Sequence, residues 1–262
     1  MEWDKLTSPG FAKAVKKAKG VCLLPIGCIE KHGGHLPLGT DILFIYKLCC
    51  LAAEKEPAVV FPYFYLSQIS EARHQPGTIA LKFDLLMPLL ENICDEIGRN
   101  GLKKIIIVNG HGGNMGLLSF FNMMFNDKKK DYTVYGVAPF TTVKHGGNKL
   151  FKAKKDGHGG EGETSQIMYL YPELRTNATP IGNGMPLKRL KNLQDNNIST
   201  GIDWYSNYPE HLAADKTPGS REKGKVLVEL QMEKLVNQIR LVKKDRMAPA
   251  LIREFHKKAT SH

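Results

Sequence analysis

The stretch KKIIIVNGHGGN, residues 103–114, predicts the class of fold. Its run of four β-forming residues is typical of a buried parallel strand, and a glycine-rich loop follows it directly. Three other apolar runs predict further strands: GVCLLPIG (20–27), AVVFPYFYL (58–66) and YTVYGVAPF (132–140). Helical patterns alternate with these strands, so we expect a three-layer α/β/α fold with a mainly parallel central sheet.

The helical patterns have lengths and apolar periodicities that suit packing against such a sheet. They cover residues 40–55, 83–101, 114–127, 162–174 and 220–244. Asn114 is expected to cap the third of these helices, because its side chain can accept from backbone N–H groups. A chain of 262 residues is long enough for one large core, so we expect residues 1–262 to form a single domain.

The formal net charge is +11, and some of the basic residues lie in short runs. These runs are DKKKDY (127–132), KAKKD (152–156) and FHKKATSH (255–262). They lack interleaved aromatic residues, so we interpret them as solvated surface and expect no nucleic-acid partner. Retention on nucleic acid at moderate salt would test this, because phosphate-driven binding weakens steeply as salt rises.

Several features favour a cytoplasmic protein. No apolar run approaches the ~18 residues of a membrane-spanning helix, and the first twenty residues do not resemble a signal peptide. Five cysteines, an odd number without a paired framework, suggest reduced thiols. We therefore expect no membrane partner and a cytoplasmic location.

The loop IEKHGGHLPLGTD, residues 29–41, is unusually rich in groups that bind metals or transfer protons. It follows the strand at 20–27, just as the loop NGHGGN (109–114) follows the strand at 103–108. Ligands of parallel sheets bind beyond the carboxyl ends of the strands, so both loops are expected to meet at one edge. A third loop, HGGEGETS (158–165), begins another helix and adds a histidine and two glutamates.

These loops offer five oxygen or nitrogen donors that suit Zn²⁺, Mn²⁺ or Fe²⁺: Glu30, His32, Asp41, His111 and Glu161. One ion could not use all five and keep an open catalytic position. Two ions could, if Asp41 bridges them and each has three protein ligands. We therefore predict two divalent ions that share a hydroxide and hydrolyse a substrate.

Other interpretations of single residues remain open. A histidine in a glycine-rich loop is more often a hydrogen-bonding residue than a ligand. Glu163 is either a ligand or a carboxylate at a helix start, and His35 and His145 serve to hold loops. The segment 200–219 is rich in aromatic residues and shapes the pocket, a subunit interface or an ordinary surface loop.

The three loops resemble the creatininase (creatinine amidohydrolase) family. The resemblance rests on PIGCIEKHGGHLPLGTD, IIIVNGHGGN and HGGEGETS, and extends to QPGTIAL and SREKGKVL. It implies an α/β/α fold, a two-metal centre, hydrolysis of carbon–nitrogen bonds in small amides, and a homohexamer. The implied metal ligands are Glu30, His32, Asp41, His111 and Glu161.

Further residues have expected roles, and the chain departs from the family's pattern. His158 is the candidate for passing a proton to the leaving nitrogen, with Glu161 as a second catalytic group. Glu71, Gly112 and Gly113 are expected to bind the substrate. Gly113 stands where creatininase has a glutamate ligand, and the chain's two tryptophans, Trp3 and Trp204, lie outside the sequence between the metal motifs.

Creatinine, a formylated purine-derived amine and a short peptide amide are the candidate substrates. The alternative to an enzyme is a catalytically idle relative that binds a small ligand and keeps a metal for structure only. An open coordination position beside five retained ligands favours the enzyme.

Overall fold

Four parallel strands form the central sheet of the computed structural model, which describes residues 1–139 and 150–259. The strands are β1 (Val21–Ile26), β2 (Val59–Val60), β3 (Lys104–Asn109) and β4 (Thr133–Val137). The helices of the described residues are α1 (Ser8–Lys17), α2 (Thr40–Lys55), α3 (Phe83–Arg99), α4 (Asn114–Met124), α5 (Glu161–Leu170), α6 (Lys191–Asp195), α7 (Asp203–Asn207), α8 (Arg221–Lys244) and α9 (Met247–Ala259). The spatial order β2-β1-β3-β4 puts β1 and β3 at the centre.

Helices cover both faces of the sheet, as expected for a three-layer α/β/α fold. Successive side chains of a strand point to opposite faces. In β1, Val21 and Leu23 therefore pack against α2 and α8, whereas Cys22 and Leu24 pack against α1, α3 and α4. Both sets are fully buried. The continuous apolar runs of β1 and β3 thus belong to strands covered on both sides, which confirms the prediction of parallel strands.

The register of β1 and β3 brings their two loops together. Val21 pairs with Lys104 and Ile26 pairs with Asn109, so both strands end at the same level. The loop that follows β1 and the loop that follows β3 therefore leave the sheet side by side. This arrangement confirms that the two glycine-rich loops meet at one edge.

The second strand is much shorter than the run 58–66 predicts. Only Val59 and Val60 pair within it, and a single bridge joins Phe64 to Ile26 further on. Pro62 has no N–H to donate, so it interrupts the ladder between these points. Such an interruption is tolerated because β2 is an edge strand of the sheet.

Helix boundaries differ from the predictions at a few points. α5 ends at Leu170 because Pro172 cannot continue an α-helix. Asn114 does not cap α4; it is the first residue of that helix, and its side chain bonds Ser67, Asn109 and Gln68 instead. Four helices are additional to those that the apolar patterns predict: α1, α6, α7 and α9.

The described helices include none that is both long enough and apolar enough to cross a membrane. All five cysteines lie in the described residues, and none forms a disulfide. His145 and the last three residues of the C-terminal basic run lie outside the described residues.

Candidate metal centre

The start of α2 packs closely over the ends of the two central strands. A Cβ at Gly110 would lie 2.8 Å from the backbone oxygen of Asp41 and 2.7 Å from Cβ of Ile45. Only a glycine at this position permits such an approach without displacing the helix. The approach brings Asp41, in the first turn of α2, against the loop that carries His111.

A first group of buried side chains surrounds one oxygen of Asp41. His111 Nδ1 lies 2.8 Å from Asp41 Oδ2 and 2.8 Å from Glu30 Oε1. The Cys28 thiol donates to the same two carboxylates, at 3.1 Å to Asp41 Oδ2 and 3.3 Å to Glu30 Oε1. Candidate ligand atoms of all four residues lie within 4.8 Å of one another. Cys28 is not among the predicted ligands, because an isolated cysteine carries no metal-site spacing.

A second group surrounds the other oxygen of Asp41. His32 Nε2 lies 3.0 Å from Asp41 Oδ1 and 3.6 Å from Glu163 Oε2. His32 Nδ1 lies 3.3 Å from the backbone oxygen of Glu30, which can only accept a hydrogen bond. The proton of the neutral His32 ring therefore belongs on Nδ1, which leaves Nε2 as the atom that can bind an ion.

Glu161, predicted as a metal ligand and catalytic group, is absent from the clusters of metal-capable side chains among the described residues. Its carboxylate is buried, pairs with the Lys223 ammonium and accepts from the N–H groups of Lys152 and Ala153, at 2.9 and 2.7 Å. Residues two apart on a helix point about 200° apart, so only one of the two glutamates in this turn can face Asp41. The structure places Glu163 there.

Electrostatic coupling among these groups is strong. Burial favours the neutral form of His32, but the Asp41 and Glu163 carboxylates outweigh it and raise its pKa to about 10. Burial also opposes charge on His111, yet Glu30 and Asp41 hold its pKa well above the ordinary value. Burial raises the pKa of Glu163 to about 7, while the nearby His32 opposes this rise. A bound cation would compete with protons for the same nitrogen and oxygen atoms.

His158 lies beside the second group, with its ring 4.1 Å from that of His32. Its Nε2 donates to the backbone oxygen of Lys31 at 2.7 Å, which leaves Nδ1 as the acceptor of the neutral ring. Burial and the neighbouring His32 lower the pKa of His158 to about 3. The ring is therefore neutral at physiological pH.

Two residues of the segment 200–219 complete the surroundings of Glu30. His211 contacts Glu30 Oε2 through Nε2, and the Trp204 indole N–H donates to His211 Nδ1 at 2.9 Å. The segment therefore lines the pocket, and one of the chain's two tryptophans lies at the site although it is distant from the metal motifs in sequence. Sequence reasoning did not identify His211, because no spacing links it to the motifs.

The groups open into a cavity of ≈ 1010 Å³. Glu71, Gly112 and Gly113 line this cavity, and so do Trp204 and Tyr208. The structure thus brings the three expected substrate-binding residues to the same space as the metal-capable groups.

The basic run at 152–156 is not simply solvated surface, which corrects its interpretation. Lys155 and Asp156 lie in the cavity wall, where Lys155 Nζ donates to the Tyr208 hydroxyl at 2.9 Å. His35 holds loops together: its ring contacts Thr164 Oγ1 at 3.0 Å and accepts from the Ile181 N–H at 3.4 Å.

Known proteins resemble this chain in sequence and in fold. A family model described as creatininase (creatinine amidohydrolase) matches residues 4–239. The chain is 27% identical over 260 residues to a creatinine amidohydrolase of Pseudomonas putida, covering 90% of this chain and 95% of the relative. It is 29% identical over 178 residues to a mycofactocin precursor peptide peptidase of Mycolicibacterium smegmatis, covering 64% of this chain and 65% of the relative.

A solved structure of a manganese creatininase resembles the chain with a TM-score of 0.74 at 22% identity, over 93% of this chain and 99% of that one. This likeness supports the α/β/α fold. The family match spans nearly the whole chain, and its model covers all three loops that converge on Asp41. The chain therefore belongs to the creatininase family and is a metal-dependent amidohydrolase.

Proposed function

We propose that this enzyme uses two metal ions to cleave a carbon–nitrogen bond in a small amide, cyclic amide or formamide. Asp41 carries the proposal, because its two oxygens face two different histidine–carboxylate pairs. Glu30, Asp41 and His111 would hold one ion. His32, Asp41 and Glu163 would hold the other.

The donors fit divalent ions. Imidazole nitrogens and carboxylate oxygens suit Zn²⁺, Mn²⁺ and Fe²⁺, and structural neighbours described in manganese and zinc forms support the first two of these. The three carboxylates of Glu30, Asp41 and Glu163 offset most of the charge of two such ions. Bound ions would supply an acidified water and polarise the scissile carbonyl.

His158 is the proposed proton carrier of the reaction. Its Nε2–H is held by the Lys31 carbonyl, so Nδ1 is the atom that can accept a proton and deliver it to the leaving nitrogen. The ring lines the cavity and lies at a tilt of 31° beside the His32 ring, which puts it next to the proposed second ion.

The cavity supports a small-molecule substrate. Its volume suits a compact ligand, and its wall combines the aromatic rings of Trp204 and Tyr208 with the carboxylate of Glu71. We propose that Glu71, Gly112 and Gly113 contact the substrate on the side of His111. Creatinine, a formylated amine and a short peptide amide remain the candidates.

Three further proposals concern the whole protein, and of these the assembly rests on the family resemblance. We propose that residues 1–262 form one domain, that the chain assembles as a homohexamer and that it acts in the cytoplasm. Packing of α1 and α8 on opposite faces of the same sheet supports the single domain.

Metal analysis after reconstitution tests the proposal directly. We expect about two divalent ions per chain, followed by turnover of at least one compound in a panel of creatinine, formamides and short peptide amides. His32→Ala and His111→Ala should abolish that turnover and keep the native circular dichroism, because both side chains lie in loops. A stoichiometry that never exceeds one ion contradicts the two-metal centre.

A further inference from the structure

His211 is enclosed between an indole and a carboxylate. Its side chain is almost completely buried, at 1% exposure. Trp204 Nε1 donates to His211 Nδ1 at 2.9 Å, and His211 Nε2 contacts Glu30 Oε2 on the other side. Both ring nitrogens therefore have a partner. One partner is a hydrogen-bond donor, and the other is a carboxylate oxygen.

These partners determine the tautomer of His211. An indole nitrogen only donates, so the Nδ1 atom that receives its hydrogen bond carries no proton. The proton of the neutral ring then lies on Nε2, from which it is donated to Glu30 Oε2. A ring in this state has no free lone pair directed at the metal-capable cluster, so His211 is not a ligand although it lies close to Glu30 and His158.

Because of this hydrogen bond, the two carboxylate oxygens of Glu30 have different partners. Oε2 is occupied by His211, whereas Oε1 lies 2.8 Å from His111 Nδ1 and faces Asp41. Partners of this kind orient ligating carboxylates and adjust their affinity for ions.

We propose that His211 is a positioning residue that presents Glu30 Oε1 to the first metal ion, and that Trp204 fixes the tautomer His211 needs for this. The inference rests on the proposed two-metal function. It couples the aromatic wall of the cavity to one of the two ions, because Trp204 lines the cavity and acts on Glu30 only through His211.

The backbone at His211 gives independent support. Its φ of 54° lies in the left-handed region, which is uncommon for a residue other than glycine. The backbone N–H of His211 donates to the backbone oxygen of Tyr208 at 3.0 Å. The backbone oxygen of His211 accepts from the Gly33 N–H at 3.1 Å. Strained conformations persist where the surroundings fix them, and they concentrate at functional sites. Here the two backbone hydrogen bonds fix this conformation and hold the His211 ring against the loop that carries Glu30.

The proposal is tested by titrating the full-length apo-protein with Mn²⁺ or Zn²⁺ and measuring the heat of binding by calorimetry. We expect His211→Leu to lower the affinity for one ion about 10–100-fold and to leave the affinity for the other unchanged. His211→Gln should regain most of this loss, because glutamine offers an acceptor to Trp204 and a donor to Glu30. Trp204→Phe should weaken the same ion by less.

His74→Gln is the matched control. His74 anchors the same segment through the Pro209 oxygen, at 2.9 Å, but does not contact Glu30. Native ion affinities in this variant, together with the selective loss in His211→Leu, support positioning. Equal weakening of both ions in His211→Leu, or native affinity for both, would overturn the proposal.

Nitrogen-15 NMR of the imidazole rings gives a test that needs no variant of His211. The native protein should show the His211 proton on Nε2, and Trp204→Phe should show a mixture of tautomers. A proton on Nδ1 in the native protein overturns the inference even if His211→Leu fails to fold. Neither measurement uses a substrate, so a failed search for a hydrolysed amide would contradict the proposed function alone.

Discussion

Asp41 is the residue on which the two halves of the cluster depend. It lies in the first turn of α2, where the helix dipole favours a negative charge, and it is almost completely buried. The two nearest histidines lie on different oxygens, His32 at Oδ1 and His111 at Oδ2. A single carboxylate can thereby serve both proposed ions.

Asp41→Asn is expected to lower the affinity for both ions. The amide removes one negative charge and replaces one donor oxygen by a nitrogen without an available lone pair. Glu30→Gln, in contrast, should weaken mainly the ion held with His111. Metal titration of the two variants side by side distinguishes the cases. Loss of only one ion in Asp41→Asn would show that Asp41 is a terminal ligand.

Glu163→Gln is expected to change metal affinity, whereas Glu161→Gln is expected to change stability. Glu163 faces His32, so its variant should lose affinity for one ion and keep native stability. Glu161 pairs with Lys223 in the interior, so its variant should cost roughly 3 kcal/mol in the free energy of unfolding. Chemical denaturation and metal titration measure the two effects. The reverse result would restore Glu161 as the ligand.

At the scale of elements, contact between α5 and α8 determines how Glu163 is held. The Lys223–Glu161 pair joins the first turn of α8 to the start of α5. At Gly224 the helices approach so closely that a Cβ would lie 1.9 Å from the Ser165 oxygen. The first turn of α5 is therefore placed by α8, which follows it by some fifty residues in sequence.

Gly224→Ala should destabilise the protein and disturb the ion held by Glu163. The new methyl group meets backbone, so the helices must separate, at a cost of about 1–3 kcal/mol. Gly116→Ala on α4 is the matched control, because its methyl group meets nothing within 4 Å. Helix propensity predicts a gain of about 0.5–1 kcal/mol there. Thermal unfolding of both variants checks this pair, and equal stabilities would contradict it.

At the scale of the whole molecule, the described surface retains large apolar side chains. Met115, Phe120 and Met123 are each about half exposed along α4, at 48%, 58% and 58%. Exposed apolar groups that lie on one element are typical of surfaces that other chains cover. They are compatible with the homohexamer that the family resemblance implies.

A hexamer in solution is the expected assembly. Light scattering coupled to size-exclusion chromatography should give six times the chain mass of 29.3 kDa. Burial of apolar surface would drive the association, so Phe120→Asp should shift the equilibrium toward smaller species if α4 lies in the interface. A monomer for the native protein across micromolar concentrations contradicts the assembly.

Local pattern by itself predicted the sheet and the two loops at its edge. Apolar runs such as Ile105–Val108 are long and uninterrupted, so the requirement to bury both sides of a strand leaves one interpretation. Parallel connectivity then brings the strand ends together, which was sufficient to group Glu30, His32, Asp41 and His111 before the fold was known.

Tertiary structure alone decided which glutamate of HGGEGETS faces Asp41, and that His211 bonds Glu30. Glu161 and Glu163 have the same local sequence context, and α8 selects between them by supplying Lys223 as a partner for one. His211 lies 181 residues from Glu30 and has no periodic relation to it. Such choices depend on contacts between distant segments, and those contacts exist only once the helices have packed on the sheet.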